Sequence, residues 1–279
     1  MECSYSIKFV VALEAEAEPI IEEYSLKRIH EINLFKVYRN ISGNHWLIIS
    51  GIGCINAAAA SIFLYQYSNA NKSSFWFNIG IAGYFTGPAG EIFLVDKILD
   101  EVTCQTHFPR SALTKKIKRD ELLTVSKPRE PLSDSHLIDM EGFSFFDVVN
   151  RFAFKEMITV LKVVSDFPGY GYTKITKNIV RNLIGNILPD IREFVTEAEE
   201  ISYKELLRLR KPATYTEIIS KTKFTETQSK FLEKLVRDWE GVFPERYLIK
   251  EINGLKKSSE IVRKITTDLN HFRVDWLEK

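Results

Sequence analysis

The chain has 279 residues, of which 45% are hydrophobic, and a formal net charge of +1 at pH 7. A chain of this length and composition can bury a full core, which excludes a disordered protein. The near-neutral charge argues against a dedicated nucleic-acid binder. No apolar run reaches the length needed to span a bilayer and the N-terminus lacks a signal-peptide pattern, so we expect a cytoplasmic protein without membrane contact.

Metal and disulfide chemistry are not expected either. Three cysteines, Cys3, Cys54 and Cys104, show no Cys-x-x-Cys spacing, and the five histidines are scattered along the chain. Residues that hold zinc or form a disulfide framework usually occur at short, regular spacings. The cysteines are therefore predicted to be reduced thiols.

Predicted strands and helices alternate over roughly the first 195 residues. A first strand runs directly into a helix whose opening carries Glu14, Glu16 and Glu18, and acids at that place favour a helix start. Next comes a predicted hairpin, and then a glycine-rich turn at 50–56 that leads into a second helix. The predicted strands are 7–12, 34–38, 46–49, 75–80, 90–98 and 122–126. This alternation predicts an α/β core with a mostly parallel or mixed sheet.

Two acids stand at predicted element ends in the stretch 138–170. Met140 and Glu141 begin a helix with an apolar face, and the β-branched run 158–164 ends on Ser165 and Asp166. The breaker Pro168-Gly169 follows. Ligands of open α/β sheets bind at such strand ends, although for either acid alone the simpler interpretation is a helix start or a turn.

The last part of the chain has a different, helical pattern. An apolar stripe over 175–188 predicts the helix that closes the core, ended by Pro189. Capping-box patterns at 202–205 and 225–228 each predict a helix start, and a last helix is expected from about Ser258. We therefore expect an α/β domain, 1–198, and a small all-helical extension, 199–279. The extension serves packing or dimerisation, or contacts a partner protein or nucleic acid.

Five segments, in one order, resemble the purine nucleoside phosphorylase and uridine phosphorylase superfamily, and most closely its methylthioadenosine/S-adenosylhomocysteine nucleosidase branch. The segments are ALEAE (12–16), SGIGCINAA (50–58), NIGIAG (78–83) with GEI (90–92), MEG (140–142) and VVSD (163–166). The resemblance implies a three-layer, phosphorylase-type core with a mixed central sheet. It does not extend beyond about residue 195.

The resemblance also implies roles for the acids. Asp166, assisted by Ser165, would protonate or hydrogen-bond the purine N7. Glu141 would hold the ribose hydroxyls while Met140 packs on the sugar, and Glu16 would position and deprotonate the attacking water. These roles suit cleavage of an N-glycosidic bond, which needs a protonated leaving base and a stabilised oxocarbenium-like sugar. No metal or organic cofactor is implied.

The strand end Gly80-Ile81-Ala82-Gly83 completes the predicted site, with Ile81 and Gly83 as site residues, because missing or minimal side chains in this segment would let a ligand approach the backbone. Here the chain departs from the family pattern. Ile81 stands where the nucleosidases usually carry a small hydroxyl residue, Lys162 stands where an arginine is common, and the stretch 101–140 looks shorter than in typical members. A pocket remodelled for another nucleoside is therefore an alternative interpretation.

The resulting hypothesis is a nucleosidase that hydrolyses a 5'-modified adenosine, such as methylthioadenosine, S-adenosylhomocysteine or 5'-deoxyadenosine. A carboxylate at position 16 would repel phosphate, which favours hydrolysis over phosphorolysis. Two alternatives stay open: a phosphate-dependent nucleoside phosphorylase, and a catalytically weak nucleoside-binding or scaffold protein of the same fold. By resemblance we also expect a homodimer.

Overall fold

The computed structural model describes residues 5–129, 136–168 and 174–277, with side chains to residue 272. Gly169 and Tyr170, which end the stretch singled out in the sequence, lie outside these residues. The chain divides into two compact units, and the first ends at Arg208 while the second begins at Leu209.

The first unit contains a sheet that includes the predicted strands and three short strands that were not predicted. Within the described residues its strands are β1 (Ile7–Val11), β2 (Lys27–Arg28), β3 (Lys36–Arg39), β4 (His45–Ile49), β5 (Phe75–Gly83), β6 (Ile92–Asp100), β7 (Thr106–His107), β8 (Arg119–Thr124), β9 (Leu137–Asp139) and β10 (Ile158–Asp166). The strands that were not predicted are β2, β7 and β9. The helices of this unit are α1 (Glu14–Glu23), α2 (Cys54–Tyr67), α3 (Gly142–Val149), α4 (Lys177–Asn186) and α5 (Leu188–Leu209).

The sheet is mixed, and part of it closes on itself. Its strand order is β10-β6-β8-β9-β5-β1-β4-β3-β2, and an additional pairing joins β10 to β5. Strands β5, β10, β6, β8 and β9 therefore form a closed ring, while β1, β4, β3 and β2 extend from it. Strands β1, β4, β5 and β10 run parallel, whereas β6 runs antiparallel to β10.

Helices cover both faces of the sheet. Alternate residues of a strand point to opposite sides, so neighbouring strand residues pack against different helices. On β1, Phe9 packs into the cluster that includes residues of α1, α4 and α5, while Val10 packs into the one that includes residues of α2 and α3. Phe77 and Trp76 of β5 divide in the same way and are fully buried. Burying one such side chain contributes roughly 1.5–3 kcal/mol. The expected three-layer α/β architecture with a mixed sheet is confirmed.

The parallel strands bring the predicted site residues to one edge. Gly83 at the end of β5 pairs with Asp166 at the end of β10 and, on its other side, with Ile138 of β9. β1 lies next to β5 and ends just before Ala12. Because strand ends in one sheet are held by backbone hydrogen bonds, the residues that follow them have fixed relative positions.

Two helix predictions are wrong. Pro189 does not end a helix but lies in the first turn of α5, where its missing N–H leaves no hydrogen bond unmade. The pattern at 202–205 does not start a helix, because Ser202 lies inside α5, fully buried and with no hydrogen-bond partner for its hydroxyl among the described residues. The division between the units lies after Arg208 rather than after residue 198, since α5 continues.

The second unit is helical. It consists of α6 (Ala213–Lys221), α7 (Glu226–Val242), the short α8 (Leu248–Glu251) and α9 (Ser258–Leu277). The capping box predicted at 225–228 is confirmed: the Thr225 hydroxyl accepts from the Gln228 N–H, and the Thr225 N–H donates to the Gln228 side chain. Trp239 is fully buried in the core, which also contains Leu232, Leu235, Val236, Ile261, Ile265 and Leu269.

Substitutions at Thr225 and at Ser202 are predicted to have opposite effects on stability. Thr225→Ala removes a helix cap and is expected to lower the free energy of unfolding by about 1 kcal/mol. Ser202→Ala removes a buried, unpartnered hydroxyl and favours the helix, so stability should stay equal or rise. Urea unfolding curves of both variants measure the difference. A loss of about 1 kcal/mol in Ser202→Ala would contradict its placement inside α5.

Candidate active site

A cavity of about 150 Å³ opens at the edge where the parallel strands end. All seven predicted site residues line it: Glu16, Ile81, Gly83, Met140, Glu141, Ser165 and Asp166. The remaining wall comes from β5, β9 and the segments after β1, β4 and β8: Ala12, Leu13, Ile52, Ala82, Val125, Pro128, Arg129, Ile138 and Asp139. The structure thus brings Glu16 and Asp166, which lie 150 positions apart in the chain, to one cavity.

Glu16 lies in the first turn of α1 and is 2% exposed. Its Oε2 accepts hydrogen bonds from the N–H groups of Ala12 and Leu13, both at 2.9 Å. Its Oε1 accepts from the N–H of Ile81 at 3.0 Å. The same carboxylate therefore joins the start of α1 to the end of β5, which explains why its orientation is fixed.

Glu141 lies between β9 and α3, against the turn before α2. Its Oε1 accepts from the Gly53 N–H at 2.6 Å. The adjacent Cys54 thiol donates to the Met140 carbonyl at 3.4 Å. Gly53 has φ of +101°, a conformation that residues with a Cβ rarely adopt. The glycine-rich turn thus serves to bind the Glu141 carboxylate.

Asp166 ends β10 and is nearly buried. The Ser165 hydroxyl lies 2.5 Å from Asp166 Oδ1 and 3.2 Å from the Ala82 carbonyl, and it can donate to either. The Asp166 carbonyl accepts from the Tyr84 N–H at 2.9 Å. The main chain of this residue is therefore held by the strand next to it, and its carboxyl group borders the cavity.

A buried ion pair next to these acids was not predicted from the sequence. Lys162 Nζ lies 2.8 Å from Asp139 Oδ2, and both side chains are at most 2% exposed. Asp139 also accepts from the Thr124 hydroxyl and the Gly142 N–H, each at 2.8 Å. The signal in the sequence was a lysine within a strand of apolar residues, since a buried charge needs a partner.

Burial shifts the pKa of the carboxyl groups upward. For Glu141, burial and the neighbouring charge of Asp139 raise the pKa to about 7, although Lys162 and the Gly53 N–H oppose the shift. Burial also raises the pKa of Glu16, and Lys162 is the strongest of the groups that oppose it. Burial alone would lower the pKa of the Lys162 ammonium, but Asp139 and Glu141 outweigh this effect and raise it.

The arrangement is suited to acid–base chemistry on a small molecule. Carboxyl groups in unlike environments can act as an acid and as a base at the same pH. Within the described residues no cluster of three or more His, Cys, Asp or Glu side chains is arranged to hold a metal ion. In the same part of the chain, no helix combines the length and apolar character needed to cross a membrane.

The chain's sequence matches no known family model. No curated protein matches it either. Its fold, however, is similar to solved structures. The 5'-methylthioadenosine/S-adenosylhomocysteine nucleosidase of Helicobacter pylori aligns with a TM-score of 0.60 and 12% identity, covering 70% of this chain and 100% of that chain.

Two further structures give the same result. The 5'-methylthioadenosine nucleosidase of Arabidopsis thaliana aligns with a TM-score of 0.58 and 17% identity, covering 70% of this chain and 96% of that one. The futalosine hydrolase of Helicobacter pylori has a TM-score of 0.58, 12% identity and coverage of 70% and 98%. The fold predicted from the resemblance, that of the nucleosidases in the purine and uridine nucleoside phosphorylase superfamily, is therefore confirmed.

The raised pKa of Glu141 predicts how stability depends on pH. Between pH 4.5, the ordinary pKa, and about pH 7 the Glu141 carboxyl group holds a proton in the folded chain that the unfolded chain has released. Raising the pH through this range therefore lowers the free energy of unfolding. Relative to Glu141→Gln, the free energy of unfolding of the wild type should fall by about 2–3 kcal/mol from pH 5 to pH 8. Urea unfolding at both pH values measures this. A difference that does not change with pH would contradict the shift.

Proposed function

We propose that the first unit is a purine nucleosidase that hydrolyses the N-glycosidic bond of a 5'-modified adenosine, such as methylthioadenosine, S-adenosylhomocysteine or 5'-deoxyadenosine. The observation that carries the proposal is that Glu16, Glu141 and Asp166, from three separate elements, border one cavity. The products would be adenine and the 5'-modified ribose.

The acids would divide the reaction between them. Water adds to C1' as the bond from C1' to N9 breaks, and the base leaves with the bonding electrons. Glu16 takes the proton of the attacking water, and Asp166, with Ser165 beside it, supplies a proton or hydrogen bond at N7. General acid–base help of this kind contributes on the order of 10²–10⁴ in rate for each group.

Glu141 and Met140 would hold the sugar. Glu141 uses one oxygen for the Gly53 N–H, so its other oxygen can accept from ribose hydroxyls. Those hydroxyls bind the ionised carboxylate better than the protonated one, so affinity should increase as the pH rises through about 7. Met140, half-buried in the same wall, offers an apolar contact to the sugar ring.

The apolar residues of the wall support a 5'-modified substrate. Ile52 and Ile81 border the cavity, and the N–H of Ile81 donates to Glu16. An apolar wall favours a thioether or a methyl group over a hydroxyl. The cavity of about 150 Å³ is smaller than a typical ligand pocket of roughly 300–1,000 Å³. It would therefore enclose the reacting sugar and bond, while the rest of the nucleoside extends along its open side.

Charge disfavours the phosphorylase alternative. Glu16, Asp139, Glu141 and Asp166 all contribute to the wall. In the described part of the wall the cationic side chain is Arg129, and it is paired with Glu101. A phosphate dianion placed beside Glu16 would be repelled by that carboxylate, whereas a neutral water molecule would not.

Base release from methylthioadenosine, S-adenosylhomocysteine, 5'-deoxyadenosine and inosine, with and without phosphate, tests the proposal. We expect adenine without phosphate, and at least about a hundredfold slower release by Asp166→Asn, because the group facing the leaving base loses its proton. Asp147→Asn is a matched control: Asp147 lies on α3, pairs with Arg151 at 2.8 Å and does not border the cavity.

Each other outcome selects an alternative. Release that requires phosphate would establish the phosphorylase. Nucleoside binding without turnover would refute the enzyme and support the binding or scaffold protein. Equal rates in wild type and Asp166→Asn would refute the role of Asp166.

We also expect a homodimer, and an apolar stripe at α2 supports it. Ile52, Ile55 and Ile62 are 53%, 85% and 50% exposed, and the last two lie seven residues apart, on one helix face. Ile52 borders the cavity as well. A second copy that covers this stripe would extend the cavity wall.

The dimer can be tested by the mass of the chain in solution. Wild type should sediment as a dimer, and Ile55→Glu with Ile62→Glu should convert it to a monomer, because two charges would be buried without partners. Ile41→Glu is the control, since Ile41 is 91% exposed in the turn between β3 and β4. A monomeric wild type would refute the proposal.

For the second unit we favour a packing or dimer element over a nucleic-acid contact. Several of its cations pair with a glutamate one turn away: Lys221 with Glu217, Lys230 with Glu226 and Arg237 with Glu233, at 2.6–2.9 Å. Such pairs neutralise part of the basic surface that phosphate binding would need.

A further inference from the structure

Four charged groups are buried together, three in the cavity wall and the fourth, Lys162, paired with Asp139. Glu16, Asp139, Glu141 and Lys162 are 2%, 5%, 8% and 1% exposed. If all four were ionised, three negative charges would face one positive charge in a poorly solvated place. Such groups titrate as a coupled set, and the raised pKa of Glu141 reflects this.

Asp139 is the fixed end of this cluster. One of its oxygens accepts from the Thr124 hydroxyl, and the other accepts from the Gly142 N–H and from Lys162. Thr124 is itself held, because its hydroxyl accepts from the Phe143 N–H at 2.9 Å. The position of the Lys162 ammonium is therefore set by β8, β9 and the start of α3.

Gly80 connects the ammonium to Glu16. Gly80 and Lys162 are paired residues on the parallel strands β5 and β10. A Cβ on Gly80 would lie 2.8 Å from Glu16 Oε1 and 3.4 Å from Lys162 Nζ. The carboxylate and the ammonium thus border the space that a side chain at position 80 would fill, and the charge of Lys162 opposes the rise of the Glu16 pKa.

We propose that Asp139 and Lys162 form a positioning pair: Asp139 holds the ammonium, and the ammonium keeps Glu16 ionised and correctly placed as the base, while Asp139 keeps Glu141 protonated until a ribose binds. The inference rests on the proposed function, and it adds two residues that would act through Glu16 and Glu141: Lys162, and Asp139 in the cavity wall. Among the described residues, Glu16, Asp139 and Lys162 are charged groups that act on Glu141, and the Cys54 thiol also interacts with it.

The pair would give the two acids that share one cavity, Glu16 and Glu141, different protonation states. Glu16 must be ionised before the substrate arrives, because a protonated carboxyl cannot take a proton from water. Glu141 can remain protonated in the empty site, which reduces the repulsion among the three acids. Ribose binding would then release this proton, because the hydroxyl groups replace it as hydrogen-bond donors to the carboxylate.

Titration of the side-chain carboxyl carbons by ¹³C NMR, with Glu16 and Glu141 assigned through their Gln variants, tests the pair without any need for turnover. In Lys162→Met the titration of Glu16 should move up by at least about one pH unit. Lys162→Arg retains the charge and should restore the wild-type titration. In Asp139→Asn the titration of Glu141 should move down.

The pH dependence of base release gives the matching kinetic result. Lys162→Met should lower kcat/KM about a hundredfold at pH 6, with partial recovery at pH 8 as Glu16 ionises. The double variant Asp139→Asn with Lys162→Met removes both charges and so avoids an unpaired buried ion. Lys97→Met is the control, since Lys97 forms a partly exposed pair with Glu121 at 2.7 Å on the same ring of strands.

The outcomes separate this inference from the proposed function. Turnover by wild type, with Glu16 titrating alike in wild type, Lys162→Met and the double variant, would overturn the positioning pair and leave the nucleosidase intact. An inactive wild type would overturn the nucleosidase, while the NMR titrations would still decide whether the pair controls the two carboxyls.

Discussion

The parallel pairing of β5 with β10 is the constraint on which the rest of the site depends. It closes the ring of strands and sets Gly83 beside Asp166 and Gly80 beside Lys162. Because this register consists of backbone hydrogen bonds, it does not depend on the side chains that use it. The edge of the sheet can therefore hold several charged groups at fixed distances while the strands below remain apolar.

Burying those charges is costly, and the fold offsets the cost mostly with backbone groups. An ionised carboxylate in an apolar environment needs hydrogen bonds or a counter-ion. Glu16 has three backbone N–H donors, whereas Glu141 has the Gly53 N–H and lies beside Asp139. Burial is the largest cause of the rise of the Glu141 pKa to about 7, and the like charge of Asp139 adds to it, while the Gly53 N–H and Lys162 oppose it.

Local patterns predicted most elements and failed where their meaning depends on neighbours. In the structure the β-branched run before Asp166 is a strand, and the capping box at Thr225 begins a helix. The similar pattern at Ser202 lies inside α5, and Pro189 begins that helix instead of ending one. A serine followed by a glutamate suits a helix start and a helix interior alike, so packing against the core decides between them.

The sequence by itself determined the order of strands and helices, the resemblance that implied the fold, and seven residues that turn out to border one cavity. Its signals are local: apolar periodicity, glycine turns and short motifs. Only the tertiary structure decided that Lys162 pairs with Asp139, that Gly80 makes room for Glu16, and that Gly53 binds Glu141. These relations join residues far apart in the chain, and electrostatic energy depends on their separation in space, which no local pattern encodes.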